Sequence, residues 1–162
     1  MAKLRPVITI SPVDISSDDA QSLIVGLDAY LNGLYPPEDN FLELPHDQVR
    51  NGRGVFLVAY LDGAPIGCGA IRRLSATTGE VKRMYVTPSG RHKGAGAGLL
   101  GALEEWARQA GLSRLVLETG RLQPEAIRLY VRSGFQPTER FGEYACAPNS
   151  CCYAKEVTGA SD

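Results

Sequence analysis

Apolar residues fall in short blocks along this chain, and the spacing inside each block predicts an element. "VITISP" (7–12) is an apolar run stopped by a proline, the pattern of a strand. In the next segment Leu23, Leu27, Tyr30 and Leu31 recur at helical spacing. Ser16 or Ser17 stands where a cap belongs, acids follow in the first turn, and Gly33 with Pro36 and Pro37 ends the run. Residues 37–53 mix polar and apolar positions and predict a loop with one helical turn around Asp47 to Arg50. "GVFLVAYLDGAPIGCGAIRRL" predicts a hairpin of Val55–Leu61, an Asp62–Gly63 turn and Ile66–Leu74. After a turn at "ATTG", "EVKRMYV" (80–86) is a strand in which Val81, Arg83 and Tyr85 alternate with Lys82, Met84 and Val86, so neither face is wholly polar.

The second half alternates differently. "GLLGALEEWARQAG" (98–111) is a helix with Leu99, Leu100, Leu103, Trp106, Ala107 and Ala110 on its apolar side and Gly111 at its end. "SRLVLETG" (113–120) is a buried strand, and "QPEAIRLYVRSGF" (123–135) a helix with Pro124 near its start and Gly134 past its end. "GFQPTER" (134–140) and "SCCYAKEV" (150–157) predict the last two strands, and "TGASD" (158–162) a loose tail. There is no internal repeat or linker, so the economical reading is one α/β domain over 1–162, mostly antiparallel at its start.

Bulk properties narrow the partners. A chain of 162 residues is about one domain long, enough to bury roughly two-thirds of its unfolded surface. Seventeen basic against eighteen acidic residues leave a net charge of −1, with no global footprint for nucleic acid. No apolar run approaches the ~20 residues of a membrane span, and the N-terminal run reads as a first strand rather than a signal peptide. Those features predict a cytoplasmic protein with no membrane partner. Cys68, Cys146, Cys151 and Cys152 form no C-x-x-C pair, and His46 and His92 lie far apart. The expectation is reduced, buried thiols and no metal.

"RHKGAGAGLL" (91–100) carries the strongest chemical signal. Three glycines at alternate positions cost about 1 kcal/mol each inside a helix. One reading is close packing of a helix on a sheet. A second is a dinucleotide turn, with Gly94 and Gly96 as G-x-G and Glu118 as the ribose-binding acid, although Leu99 stands where the third glycine belongs and "TPSGRHK" separates the strand from Gly94. A third is a pyrophosphate cradle, in which Arg91 closes over amides that Gly94 and Gly96 expose at a helix N-terminus.

"MYVTPSGRHKGAG" and "AIRLYVRSGF" (126–135) together resemble the two signatures of the GCN5-related N-acetyltransferase superfamily, the bacterial small-molecule group in particular. With the hairpin, the resemblance covers about residues 55–157, an acetyl-CoA-binding core, while residues 1–54 would form the variable, substrate-side region. It implies a mixed, mostly antiparallel twisted sheet of about seven strands, flanked by helices and splayed between the fourth and fifth. It also implies a transferase that moves acetyl from acetyl-CoA to an amine by direct attack. Arg91 and the amides around His92, Lys93, Gly94, Ala95, Gly96, Ala97 and Gly98 would hold the pyrophosphate. The backbone of Met84, Tyr85 and Val86 would pair with the pantetheine arm. His92 replaces a common glycine, and Gln123 stands where the family often has a cofactor-contacting asparagine. Dimers are common in the family, but no interface can be read from the chain.

Two side chains take catalytic roles under the same resemblance. Tyr130, the tyrosine of "LY", would be the general acid beside the sulfur; read alone, it is a core aromatic. Glu80 would take the substrate's proton, commonly through water; read alone, it is a solvent-facing glutamate after a turn. The amide of Tyr85 or Val86 would receive the oxyanion. Acceptor-side candidates are Tyr35, Glu38, Asp39, Asn40, Glu43, Glu143 and Tyr144, whose carboxylates would attract a cationic amine. Arg72, Arg73 and Arg121 would instead suit an acceptor bearing a carboxylate. A small amine is the expected acceptor; the alternatives are a binding module without transfer, a protein lysine or N-terminus as acceptor, and, on the dinucleotide reading of the glycines, an NAD-binding oxidoreductase.

Overall fold

The chain runs β1 (Ile8–Pro12), α1 (Asp18–Leu34), β2 (Gly54–Leu61), β3 (Ala64–Arg73), β4 (Thr78–Val86), α2 (Ala95–Gln109), β5 (Arg114–Gly120), α3 (Pro124–Arg132), β6 (Gln136–Pro137) and β7 (Ser150–Glu156) in a computed structural model that describes residues 7–40 and 43–157. The strands form one seven-stranded sheet in the order β1-β2-β3-β4-β5-β7-β6. Every neighbouring pair is antiparallel except β4 with β5, which is parallel. That is the mixed, mostly antiparallel sheet the resemblance implies.

Local chemistry explains most boundaries. Asp62 and Gly63 both have positive φ, 50° and 82°, as a tight two-residue hairpin turn requires. Ser17 caps α1, its Oγ accepting the Ala20 N–H at 3.3 Å, with Asp18 and Asp19 in the first turn. The turn expected around Asp47 is a short 3₁₀ helix, His46–Val49. α2 begins at Ala95, three residues before the predicted start, because Gly94 at φ 85° takes the N-cap position and Gly96 and Gly98 enter the first turn. "GFQPTER" contributes only two residues to the sheet; Pro137 has no N–H to give the ladder. The tail "TGASD" lies outside the described residues.

Alternation along β2 sorts the core into two layers. Val55, Leu57 and Ala59 pack with Leu99, Leu100, Leu103 and Phe135 on the side of α2 and α3. Phe56 and Val58 pack with Ile15, Ala20 and Leu23 on the side of α1.

β4 departs from regular alternation, and the site follows from that. Cys68 pairs with Tyr85 but Ala70 pairs with Lys82, so β4 carries one extra residue, a bulge at Arg83, whose φ is 60°. Val81, Met84 and Val86 therefore face the α2 layer, while Tyr85 faces α1. β4 and β5 pair from Thr78↔Arg114 only as far as Val81↔Leu117. Beyond that pair the strands part, and the far half of β4 has no strand partner on its β5 side among the described residues.

Candidate active site

The parting of β4 from β5 opens a cleft of about 80 Å³ whose walls include Glu80, Lys82, Glu118, Gln123, Tyr130 and Tyr144. A second hollow, sharing Leu31, Glu118 and Gln123, adjoins it and is lined by Tyr35, Asp39, Asn40, Asn149 and Ser150. The cleft thus joins residues from both halves of the sequence.

On the α2 side lies the loop for which a cradle is expected. Between β4 and α2 a 3₁₀ turn, Pro88–Gly90, is capped by Thr87, whose hydroxyl accepts the Gly90 N–H. His92 at φ 63° and Gly94 at φ 85° then turn the chain into α2. The Gly98 N–H is taken up by the Gly94 carbonyl at 3.0 Å, whereas first-turn amides before it have no acceptor in their own helix. Arg91 Nε donates to the Val86 carbonyl at 3.3 Å, and its guanidinium lies over the Tyr30 ring at 5.6 Å. The packing reading is also partly right: a Cβ on Gly96 would stand 3.0 Å from Leu129, and one on Gly98 3.1 Å from Ile10. A dinucleotide turn is a poor match, since the 3₁₀ turn and Arg91 to Lys93 intervene between strand and glycine.

Tyr130 projects from α3 toward the cleft, 6 % exposed and edge-on to Phe135 at 6.0 Å. Its hydroxyl has no hydrogen-bond partner among the described residues. Burial, and secondarily the nearby Glu118, push its pKa above the ordinary phenol value.

The acceptor-side carboxylates differ in kind. Glu80, expected to take the substrate proton, is 1 % exposed. Its Oε1 accepts from Arg72 at 2.8 Å and its Oε2 from the Tyr144 hydroxyl at 2.5 Å. It lines the cleft with both carboxylate oxygens already accepting hydrogen bonds. Glu118 faces the cleft directly, receives the Ser150 hydroxyl on Oε2 at 2.7 Å, and has its pKa raised by burial. Between them stands Lys82, 7 % exposed, whose pKa burial lowers.

Other candidates separate as the fold dictates. Tyr35 bridges α1 to the segment before α3, donating to Gln123 Oε1 at 3.2 Å and accepting the Leu122 N–H at 3.1 Å. Gln123 Oε1 also accepts the Gly120 N–H at 3.2 Å, so this side chain anchors the loop as well as lining the cleft. Asp39 accepts from Asn149 at 2.9 Å. Glu38 and Glu43 are exposed and line neither hollow. The sequence does not point to Lys82, Asn149 or Ser150, and it offers Glu118 only as a ribose-binding acid. The one available signal was that Lys82 is two residues from Glu80 on a strand, hence on the same face. Among the described residues no cluster of His, Cys, Asp and Glu could hold a metal, and no helix is long and apolar enough to cross a membrane.

The sequence profile of the acetyltransferase (GNAT) family matches residues 22–135. The chain is 42 % identical to an IAA acetyltransferase of Azospirillum brasilense, over 94 % of this chain and 99 % of that one. A crystal structure from Klebsiella pneumoniae, proposed to be an acyl-CoA N-acyltransferase, superposes with a TM-score of 0.79 at 34 % identity, covering 93 % of this chain and 97 % of that one. A GNAT family acetyltransferase of Elizabethkingia anophelis, solved with acetyl-CoA bound, gives a TM-score of 0.68 at 21 % identity, covering 92 % and 97 % of the two chains.

Proposed function

The chain belongs to the GNAT family of acetyltransferases, and from that premise we propose that it moves acetyl from acetyl-CoA to a primary amine of a small molecule. The observation that carries this reading is the convergence of Tyr130, Glu118 and the unpaired half of β4 on one narrow cleft.

Acetyl-CoA supplies the activated thioester, and the residues present fit it. Arg91 and the first-turn amides between Lys93 and Ala97 hold its pyrophosphate. Met84 to Val86 offer a strand edge to the pantetheine arm. Lying along that edge, the arm brings the thioester to the mouth of the cleft, where the amide of Tyr85 or Val86 donates to the carbonyl oxygen. Tyr130 stays protonated through the neutral range, so it can donate to the departing sulfur. Glu118 takes the amine's proton because it is the less buried of the two acids that line the cleft, while both oxygens of Glu80 are already taken up by Arg72 and Tyr144.

Calorimetric titration with acetyl-CoA, with NAD as control, tests the reading. Micromolar binding of acetyl-CoA alone is expected, and its absence would overturn the cradle. Thiol release in the presence of primary amines then tests transfer.

A further inference from the structure

Across the opening between β4 and β5 the cleft has a cationic wall and an anionic wall. We propose that the acceptor is a zwitterion, a small molecule with a carboxylate beside its amine, in which Lys82 reads the carboxylate and Glu118 receives the amine's proton. This rests on the acetyl-transfer reading above and narrows its acceptor.

The arginines that the sequence offers for a carboxylate are spent elsewhere. Arg72 holds Glu80 and Gln48, at 2.8 and 3.1 Å. Arg73 donates to the carbonyls of Gly52 and Ala110 and lies over Trp106. Arg121 is bound to Asn149. Lys82 is different. Its side chain is 5 % exposed, yet among the described residues its ammonium has only a long hydrogen bond to the Tyr144 hydroxyl, 3.4 Å, and the carboxylate of Glu143 at 3.8 Å, itself 47 % exposed. An ammonium has three protons to donate, and a buried charge is costly unless closely paired.

Glu80 and Glu143 both favour the charged form of Lys82, but among the described residues its ion pair is the 3.8 Å contact with Glu143. Glu80 on β4 is engaged by Arg72 on β3, and Arg83 on β4 is paired with Asp28 on α1 at 2.7 Å. That leaves Lys82 and Glu118, with Glu143 at the rim. Lys82 and Glu118 each follow directly on the last β4–β5 pair, Val81↔Leu117, so they stand on the same face on opposite sides of the parting. An acceptor with only an ammonium would answer Glu118 but bring a like charge beside a buried lysine. A zwitterion answers both walls.

The proton and electron count closes. The ammonium gives one proton to Glu118, and the freed nitrogen pair forms the C–N bond to the acetyl carbon. The C–S pair leaves on sulfur, which takes the Tyr130 proton, and the second nitrogen proton restores Tyr130. The carboxylate stays on Lys82 throughout.

The test uses pairs that differ by one carboxylate: tryptophan with tryptamine, phenylalanine with phenethylamine, and ornithine with putrescine. Each is titrated calorimetrically into the protein saturated with coenzyme A and assayed for thiol release with acetyl-CoA. In at least one pair the amino acid should bind, and be turned over, about tenfold or more better than its partner, the worth of one charge-assisted hydrogen bond. Lys82→Gln should erase that preference and Lys82→Arg should keep much of it, with acetyl-CoA affinity unchanged in both. A wild-type preference for the decarboxylated amines, or a preference that survives Lys82→Gln, would overturn the proposal while leaving acetyl transfer standing. Acetyl-CoA binding without transfer to any of the six would overturn the amine reading and this proposal with it. The wild-type comparison needs no variant, so a misfolded Lys82→Gln would not shield the idea.

Discussion

Tyr144 and Glu80 lie 64 positions apart in sequence and share a 2.5 Å hydrogen bond at the floor of the cleft. Tyr144 gives its proton to the carboxylate, and the raised phenol pKa follows first from burial and then from that carboxylate. Glu80 is thereby enclosed between Arg72 and Tyr144. Tyr144→Phe leaves a buried carboxylate oxygen without this donor, at a cost of about 1–3 kcal/mol. Glu80→Gln leaves Arg72, 17 % exposed, without its counter-ion, at a cost of about 3–5 kcal/mol. Urea denaturation should report both as a lower midpoint with unchanged slope.

Glu118 should give activity an acid limb. The carboxylate works as a base only when ionised, and burial raises its pKa, so kcat/KM should fall as pH drops through a value above the ordinary glutamate range. Glu118→Gln should lower turnover of an aliphatic amine by about 10² to 10⁴ near neutral pH and abolish that limb. The stability sign is opposite. A raised folded-state pKa contributes stability that is fully present below the unfolded value and lost as pH rises through the folded one. At pH 7 the ionised group is therefore a burden, and Glu118→Gln should raise the urea midpoint while it removes activity.

Tyr130→Phe keeps the ring against Phe135 and removes a hydroxyl with no partner among the described residues. Stability and acetyl-CoA affinity should be unchanged, while kcat falls by about 10². Steady-state kinetics with calorimetry separates the two, and an unchanged kcat would reduce Tyr130 to a packing residue.

The cradle makes a paired prediction. Arg91→Ala should weaken acetyl-CoA binding by about tenfold or more, with the fold intact. Gly94→Ala meets no neighbouring atom, but the residue sits at φ 85°, so it should cost about 1–2 kcal/mol of stability. Thermal unfolding without ligand and calorimetry with it distinguish the two effects.

Much of the architecture is legible along the chain because it depends on near neighbours. Ser17 and the acids after it start α1, Asp62–Gly63 closes the hairpin, and the glycines after Arg91 mark a helix start whose backbone is left bare. Each needs only a few consecutive residues to take effect. That Tyr130 stands on a helix was legible because Pro124 and Gly134 mark the ends of that helix locally.

The acceptor side was not legible, for a physical reason. Which face a strand residue occupies follows from simple alternation only while the ladder is regular. The bulge at Arg83 shifts the register within β4, so Tyr85 and Met84 lie on faces that counting from Val81 does not give. Where β4 and β5 stop pairing depends on long-range hydrogen bonding between strands separated by all of α2. The sequence by itself therefore determined the elements, the glycine turn into α2 and the family. Tertiary structure alone decided that Arg72 and Tyr144 take up both oxygens of Glu80, and that Lys82 and Glu118 stand across an opening that neither strand encodes on its own.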